Sequence, residues 1–258
     1  MNELTLLKPR LVRLKLSGML ESLEERIREA LEGKWDYSHF LLRLLTDEVE
    51  RRDYKQLCRR LAKSGLDPEK TLETFDFAFN PRIHQAAVRE LAGCGFIEKA
   101  ESVFFLGPSG VGKSHLASAI GHEACRRGHD TLYKAAFDLL KWIGAGKGDG
   151  THERRLIQIV RLPLLILDDF GLQPLSDSMQ ADLFEIIKGR YGTAATVITS
   201  NRDFGEWPEV FSNPLVASAA MDRLVHRAVK IVIEGKSYRL HAFAESSKRL
   251  TPSAKNDT

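Results

Sequence analysis

At 258 residues, with 43% hydrophobic and 28% charged side chains, the chain has room for one large globular domain, or a middling one with an appendage, and is not a disordered, collagen-like or membrane-bundle protein. No apolar run approaches the ~18 residues of a bilayer span, and the opening MNELTLLKPR lacks the apolar core of a secretory signal, so a cytoplasmic protein with no membrane partner is expected. Cys58, Cys94 and Cys125 are widely spaced and form no C-x-x-C pair, which argues against a disulfide framework and a zinc ribbon, and the histidines are scattered without an H-E-x-x-H.

The net charge of +3 is unevenly placed: residues 1–63 hold 14 Lys/Arg against 11 Asp/Glu, and the remainder balances. Within that part, Arg51 to Lys63 carries six basic residues opposed by Asp53 alone. Such a run is ordinarily a solvated helix face, but a phosphate-contacting or partner-docking surface uses the same composition.

Leu11, Leu14, Leu20, Leu23, Ile27 and Leu31 recur at helical spacing over 9–32, with Gly33 as the stop. A second helix is expected over 38–63, capped by Asp36 or Ser38 and ending at Ser64-Gly65 ahead of Pro68. Residues 64–80, closing on Phe75-Asp76-Phe77-Ala78-Phe79-Asn80, read as a linker with an aromatic patch. This sets a helical interaction domain at 1–69, a larger domain at 70–246 and a disordered tail at 247–258. In the larger domain, strand candidates at 102–106, 131–135, 164–168, 194–200 and 229–234 alternate with helices at 113–127, 136–143, 152–161, 176–191 and 214–227. That alternation predicts an α/β fold, a parallel sheet with helices on both faces. Gly144 to Gly150 is too glycine-rich to hold a helix and is expected as a loop. With Lys141, Lys147, Arg154 and Arg155 it would form a basic finger for DNA phosphates, against the plain alternative of a mobile surface loop.

The chemistry is carried by three strand ends. Gly107-Pro108-Ser109-Gly110-Val111-Gly112-Lys113-Ser114 fits G-x-x-x-x-G-K-[ST] in full, follows the strand SVFFL and opens a helix. Glycines let backbone amides curl around phosphate oxygens, Lys113 reaches the β- and γ-phosphates, and the Ser114 hydroxyl meets Mg²⁺. Leu164 to Asp169 is an apolar strand ending in two carboxylates: Asp168 on the Mg²⁺ side, Asp169 to orient or deprotonate the attacking water. Val197-Ile198-Thr199-Ser200-Asn201 ends another strand in an amide. In a sheet whose central strand lies between the phosphate loop and this one, Asn201 would bond that water or the γ-phosphate. Arg223, Arg227 and Arg239 downstream are candidates for sensing the γ-phosphate, since arginine stays charged and matches phosphate geometry. Arg223 and Arg227, one helical turn apart, would share a face.

Taken in order, GPSGVGKSHLA (107–117), LLILDDFG (164–171), VITSN (197–201), EW (206–207), MDRL (221–224) and GKSYR (235–239) resemble the AAA+ ATPases of the DnaC/IstB group. They are closer still to the IstB-type ATP-binding helpers of bacterial insertion sequences, and the likeness extends to the helical N-terminal part and the FDF linker. The resemblance implies a P-loop AAA+ domain with a parallel five-stranded sheet flanked by helices, behind a small all-α N-terminal domain. It implies ATP and Mg²⁺ as cofactors, Gly107 through His115 as the ATP-binding stretch, Asn201 as sensor 1, Arg239 as sensor 2, and Arg223 or Arg227 as an arginine finger. Most AAA+ proteins carry Glu at the position of Asp169; the shorter Asp suits the IstB group.

The function implied is ATP hydrolysis by a ring or helical homo-oligomer that assembles on duplex DNA and stimulates a separate transposase. The alternative is a DnaC-type helicase loader using the same engine on single-stranded DNA. A P-loop metabolite kinase would leave MDRL and GKSYR without a purpose. No further acidic constellation suggests a nuclease, so no DNA cleavage is expected.

Overall fold

Leucines one helical turn apart organise the N-terminal part of the chain. The computed structural model describes residues 3–250, with side chains through residue 245. Helices α1 (Glu3–Arg13), α2 (Ser17–Gly33) and α3 (Tyr37–Ser64) come first. Leu11, Met19, Leu23 and Leu44 are buried between them, with Ile27 and Phe40 packed alongside. The single helix expected over 9–32 is two helices, broken where Lys15 turns to φ +58°. Glu48 of α3 stabilises the break: its buried carboxylate accepts from the Gly18 and Met19 amides at 2.6 and 3.3 Å, satisfying donors that a helix start leaves free. Helix α3 begins as expected, with Asp36 accepting from the Ser38 and His39 amides. Part of the basic run is neutralised internally, because Arg51 pairs with Glu21 and Arg52 with Glu48.

The chain divides into two compact units between Arg60 and Leu61, earlier than the expected boundary at 69/70. The reason is that the linker packs within the second unit. Gly121 lies under the Leu66 side chain, and the His122 ring bonds the Asp67 carbonyl at 2.9 Å.

In that second unit, α4 (Gln85–Ala92) and α5 (Gly95–Glu98) lead into β1 (Ser102–Leu106) and α6 (Lys113–Arg126). There follow β2 (Thr131–Ala135), α7 (Ala136–Asp149), α8 (His152–Val160), β3 (Leu164–Phe170) and α9 (Asp177–Arg190). The chain continues through β4 (Ala195–Ser200), a 3-10 turn at Phe204–Val210, α10 (Pro214–Val225), β5 (Ala228–Val232) and α11 (Tyr238–Leu250). The five strands form one parallel sheet of order β2-β3-β4-β1-β5. Side chains alternate between its faces as strand geometry requires. Phe104, Leu165 and Ile198 enter the core shared with α7, α9 and α10, while Phe105, Ile166 and Val197 enter the core shared with α4 and α6. No described helix is long and apolar enough to cross a membrane.

Strand β4 pairs directly with both β1 and β3, so it is itself central, and no strand separates the one bearing the phosphate loop from the one ending at Asn201. This corrects the expected order. The glycine-rich stretch 144–150 is also not a loop, because α7 continues through it to Asp149 and stops at Gly150, where φ is +72°. Burial of Leu139, Leu140 and Ile143 holds the helix, and Gly146 lets α8 approach: a Cβ there would lie 2.8 Å from the His152 amide nitrogen. Gly144 faces open space. Opposite effects are therefore expected in denaturant titrations. Gly146→Ala should lower stability by ~1–3 kcal/mol through overpacking, whereas Gly144→Ala should raise it by ~0.4–1 kcal/mol by restricting the unfolded chain. Helix α11 runs to Leu250, so the expected start of a tail at 247 falls inside a helix, and residues 251–258 lie outside the described residues.

Candidate nucleotide-binding site

Three adjacent strands deliver the site to one edge of the sheet. Strand β1 opens into the phosphate loop, whose glycines the backbone requires: φ is +143° at Gly107 and +104° at Gly112. A Cβ on Gly107 would stand 2.1 Å from the Ile233 carbonyl oxygen, and one on Gly112 would stand 2.8 Å from the Phe75 ring. Helix α6 starts at Lys113, so its positive end faces the loop. Lys113 is 5% exposed, and its ammonium donates to the Pro108 carbonyl at 2.8 Å and to Asn201 Oδ1 at 2.6 Å. Burial lowers its pKa, against the opposing pull of Asp169 and Asp168.

The two aspartates part company at a bulge, where the β3–β4 register slips between Leu167 and Phe170 and Asp169 takes φ +53°. Bulges of this kind re-aim side chains beside functional sites. Asp168 stays buried, accepting at Oδ1 from the Thr199 hydroxyl and at Oδ2 from the Tyr133 phenol. Asp169 turns outward, with its amide donating to Thr199 Oγ1 at 3.0 Å. Its carboxyl pKa is raised, by desolvation first and the Asp168 charge second, with Lys113 and Arg239 opposing.

A cavity of about 330 Å³ brings together Ser109 through His115, Asp169, Asn201 and Arg239. Gly107 and Pro108 begin the same loop without lining the cavity, and Asp168 does not line it either. The GKSYR segment folds over the loop: the Tyr238 amide donates to the Gly110 carbonyl at 2.9 Å, and Ser237 fills the space a Gly110 side chain would need. Opposite it stands the linker, with Phe79 edge-on to Tyr238 at 5.0 Å and Phe75 edge-on to His115 at 5.0 Å. His115 also bonds the Thr71 carbonyl at 2.9 Å, so its ring is held by the linker. Burial lowers the pKa of that ring.

Arg223 and Arg227 do not join this cavity. They line a separate one of about 240 Å³ where β1 and β4 begin, beside Ser102 and Thr196. Helix α10 ends at Val225, and Arg227 sits beyond it at φ +59°, so the two do not share a helical face as expected. Arg223 donates to the Ala219 carbonyl at 2.7 Å and lies over the Phe184 ring, while Arg227 is exposed. The expected basic finger is likewise altered. Lys147 bonds Ser178 and pairs with Asp182 at 3.4 Å; Arg155 pairs with Asp149 at 3.0 Å and lies over Trp142. Lys141 and Arg154 are exposed on α7 and α8.

A parallel sheet in this order, with a phosphate loop after β1, paired acids on β3 and a polar residue after β4, defines a P-loop nucleotide-binding protein of AAA+ type. Residues 9–246 match the profile of the IstB-like ATP binding proteins, and the chain belongs to that family. It is 38% identical over 240 residues to a protein named as the ATP-binding protein of insertion sequence IS21 in Pseudomonas aeruginosa, covering 93% of this chain and 89% of that one. It is 36% identical over 228 residues to the counterpart from insertion sequence IS5376 of Geobacillus stearothermophilus, covering 88% and 91%. Among solved structures, AMPPCP-bound DnaA from Aquifex aeolicus superposes with a TM-score of 0.57 at 24% identity, covering 75% of this chain and 59% of that one. The DnaC helicase loader superposes at 0.51, also at 24% identity, covering 58% and 87%. These two likenesses establish the fold.

Proposed function

We propose that the protein hydrolyses ATP with Mg²⁺, assembles as a homo-oligomer on duplex DNA and stimulates a separate transposase. The observation that carries the ATPase reading is the convergence of Lys113, Asp169 and Asn201 over one phosphate loop. Membership of a family whose relatives are named for insertion sequences supports transposition over the DnaC-type helicase-loading alternative.

The loop amides and the α6 terminus would hold the phosphates, and Lys113 would exchange its contact with Asn201 for phosphate oxygens. The Ser114 hydroxyl and the Asp168 carboxylate fit Mg²⁺, a hard cation that binds few protein oxygens and keeps waters and phosphates as its other ligands. When bound, Mg²⁺ would neutralise charge developing on the phosphate oxygens. Asp169 would accept the proton of the attacking water, Asn201 would orient that water, and Arg239 would contact the nucleotide of its own subunit. Arg223 or Arg227 would act from a neighbouring subunit.

A raised pKa makes Asp169 a better proton acceptor, and it also sets a pH signature. A carboxyl that holds its proton more tightly when folded lowers stability as pH rises through its folded pKa. Asp169→Asn protein should therefore melt above wild type at neutral pH, and the gap should close below about pH 4, where the unfolded-state carboxyl is protonated too. Calorimetry at both pH values checks the sign.

For DNA, Lys141 and Arg154 offer the freer charges of the four basic residues, with Lys147 and Arg155 partly engaged. Phosphate contacts of this kind change the log–log salt slope by ~0.9 each, so Lys141→Ala/Arg154→Ala protein should bind duplex with a slope shallower by about 1.8. An unchanged slope in fluorescence-anisotropy titrations removes these two from the interface. The experiment that tests the function as a whole is transposition with purified transposase. ATP and this protein should stimulate strand transfer on duplex target, whereas ATPase stimulation confined to single-stranded DNA favours the helicase-loading alternative.

A further inference from the structure

Tyr133 belongs to none of the sequence motifs, yet it is built into the site. It projects from β2, the strand paired with β3, and its phenol donates to Asp168 Oδ2. From the other side of β3, the Thr199 hydroxyl of β4 donates to Oδ1. The buried carboxylate is thus gripped by neighbours on both flanking strands, one donor to each oxygen. The Tyr133 oxygen therefore stands beside one of the two groups assigned to Mg²⁺. The ring is partly buried and packs against the apolar core on the α6 face of the sheet.

We propose that Tyr133 is a positioning residue for the Mg²⁺ site, orienting the Asp168 carboxylate through its phenol. The inference rests on the reading that Ser114 and Asp168 hold the cation. A carboxylate can turn about its last single bond, and two donors on opposite oxygens remove that freedom. With Thr199 alone, one buried oxygen loses its partner and the group can swing away from the orientation the cation needs. A carboxylate still binds metal in that condition, but less tightly: losing one outer-shell partner of a metal ligand costs ~10–100-fold in affinity. Among the described residues the Tyr133 phenol bonds Asp168, and neither a loop glycine nor Lys113. Nucleotide affinity without metal should therefore be spared.

The test uses the full-length protein with a non-hydrolysable ATP analogue and Mn²⁺ as the probe, free Mn²⁺ being read by electron paramagnetic resonance. Tyr133→Phe should bind the analogue in EDTA as wild type does, while Mn²⁺ affinity falls by ~10–100-fold, and excess Mg²⁺ should restore ATP turnover. Unchanged Mn²⁺ affinity overturns the proposal. A second readout needs no substitution: in protein carrying 3-fluorotyrosine, the ¹⁹F signal of residue 133 should shift when Mg²⁺ is added to the nucleotide complex, and a signal that stays put overturns it. Ser114→Ala and Asp168→Asn separate the two layers. If neither weakens Mn²⁺ binding, the assignment of the metal ligands fails; if both do and Tyr133→Phe does not, only the positioning role fails.

Discussion

Lys113→Ala protein is expected to lose ATP, and Asp169→Asn protein to retain it while losing turnover. The two side chains share a cavity but act on different parts of the reaction. The Lys113 ammonium is buried, and its donors reach the Pro108 carbonyl and Asn201. Hydrogen bonds to charged groups contribute ~1.5–3 kcal/mol each. Losing two on the phosphates should therefore weaken binding by about 100-fold or more, at ~1.4 kcal/mol per factor of ten. Asp169 touches no part of the phosphate loop by a hydrogen bond in the described residues, so its loss leaves that clamp intact. Its role as proton acceptor is worth ~10²–10⁴ in rate. Asn is the informative replacement, because residue 169 sits at φ +53°, a conformation that Asn tolerates and Ala does not adopt without strain. Equilibrium dialysis with ATP and steady-state phosphate release distinguish the two defects, and wild-type turnover in Asp169→Asn protein removes the proton-acceptor role.

Much of this site is legible in the sequence because its pieces are contiguous. The phosphate loop is eight consecutive residues between a strand and a helix, and Asp168, Asp169 and Asn201 each follow an apolar run whose end marks the sheet edge. Tyr133 and Thr199 are not legible in that way. Their contact with Asp168 depends on β2 and β4 flanking β3, and strand order is a property of the whole sheet that no local periodicity carries. The linker gives a weak signal in its aromatic run, but that Phe75 closes on Gly112 depends on how residues 64–80 pack back over α6. The helical state of 144–149 has a similar origin. Four glycines disfavour a helix locally, yet Gly146 is what allows α8 to lie against α7, so tertiary packing overrides propensity. Arg227 shows the limit of spacing arguments. Counted along the chain it is one turn from Arg223, but the helix has already ended.

That ending sharpens the last expectation, which is that the active site is shared between two subunits. Within one protomer Arg223 and Arg227 line a cavity where β1 and β4 begin, whereas Lys113, Asp169 and Asn201 gather where β1, β3 and β4 end. Neither arginine belongs to the nucleotide cavity of its own chain, so a part in hydrolysis has to be played across an interface. The spreading negative charge of the γ-phosphoryl group calls for a counter-charge on the open side of the nucleotide, and a guanidinium supplies it with a planar fork of donors. Arg227, exposed and beyond the helix, and Arg223, with one donor on the Ala219 carbonyl, both present charge at that surface. Replacing the finger should lower turnover by ~10³–10⁵ while leaving ATP binding intact. Each of Arg223→Ala and Arg227→Ala is to be measured alone, and the finger is the one whose loss has that effect. Mixed with Lys113→Ala protein, that variant should regain activity, because an intact nucleotide site on one subunit then meets an intact arginine on the other. The mixture is to be assayed at concentrations where light scattering shows both proteins in the same oligomer. Co-assembly without recovered turnover would mean that no site is completed across the interface.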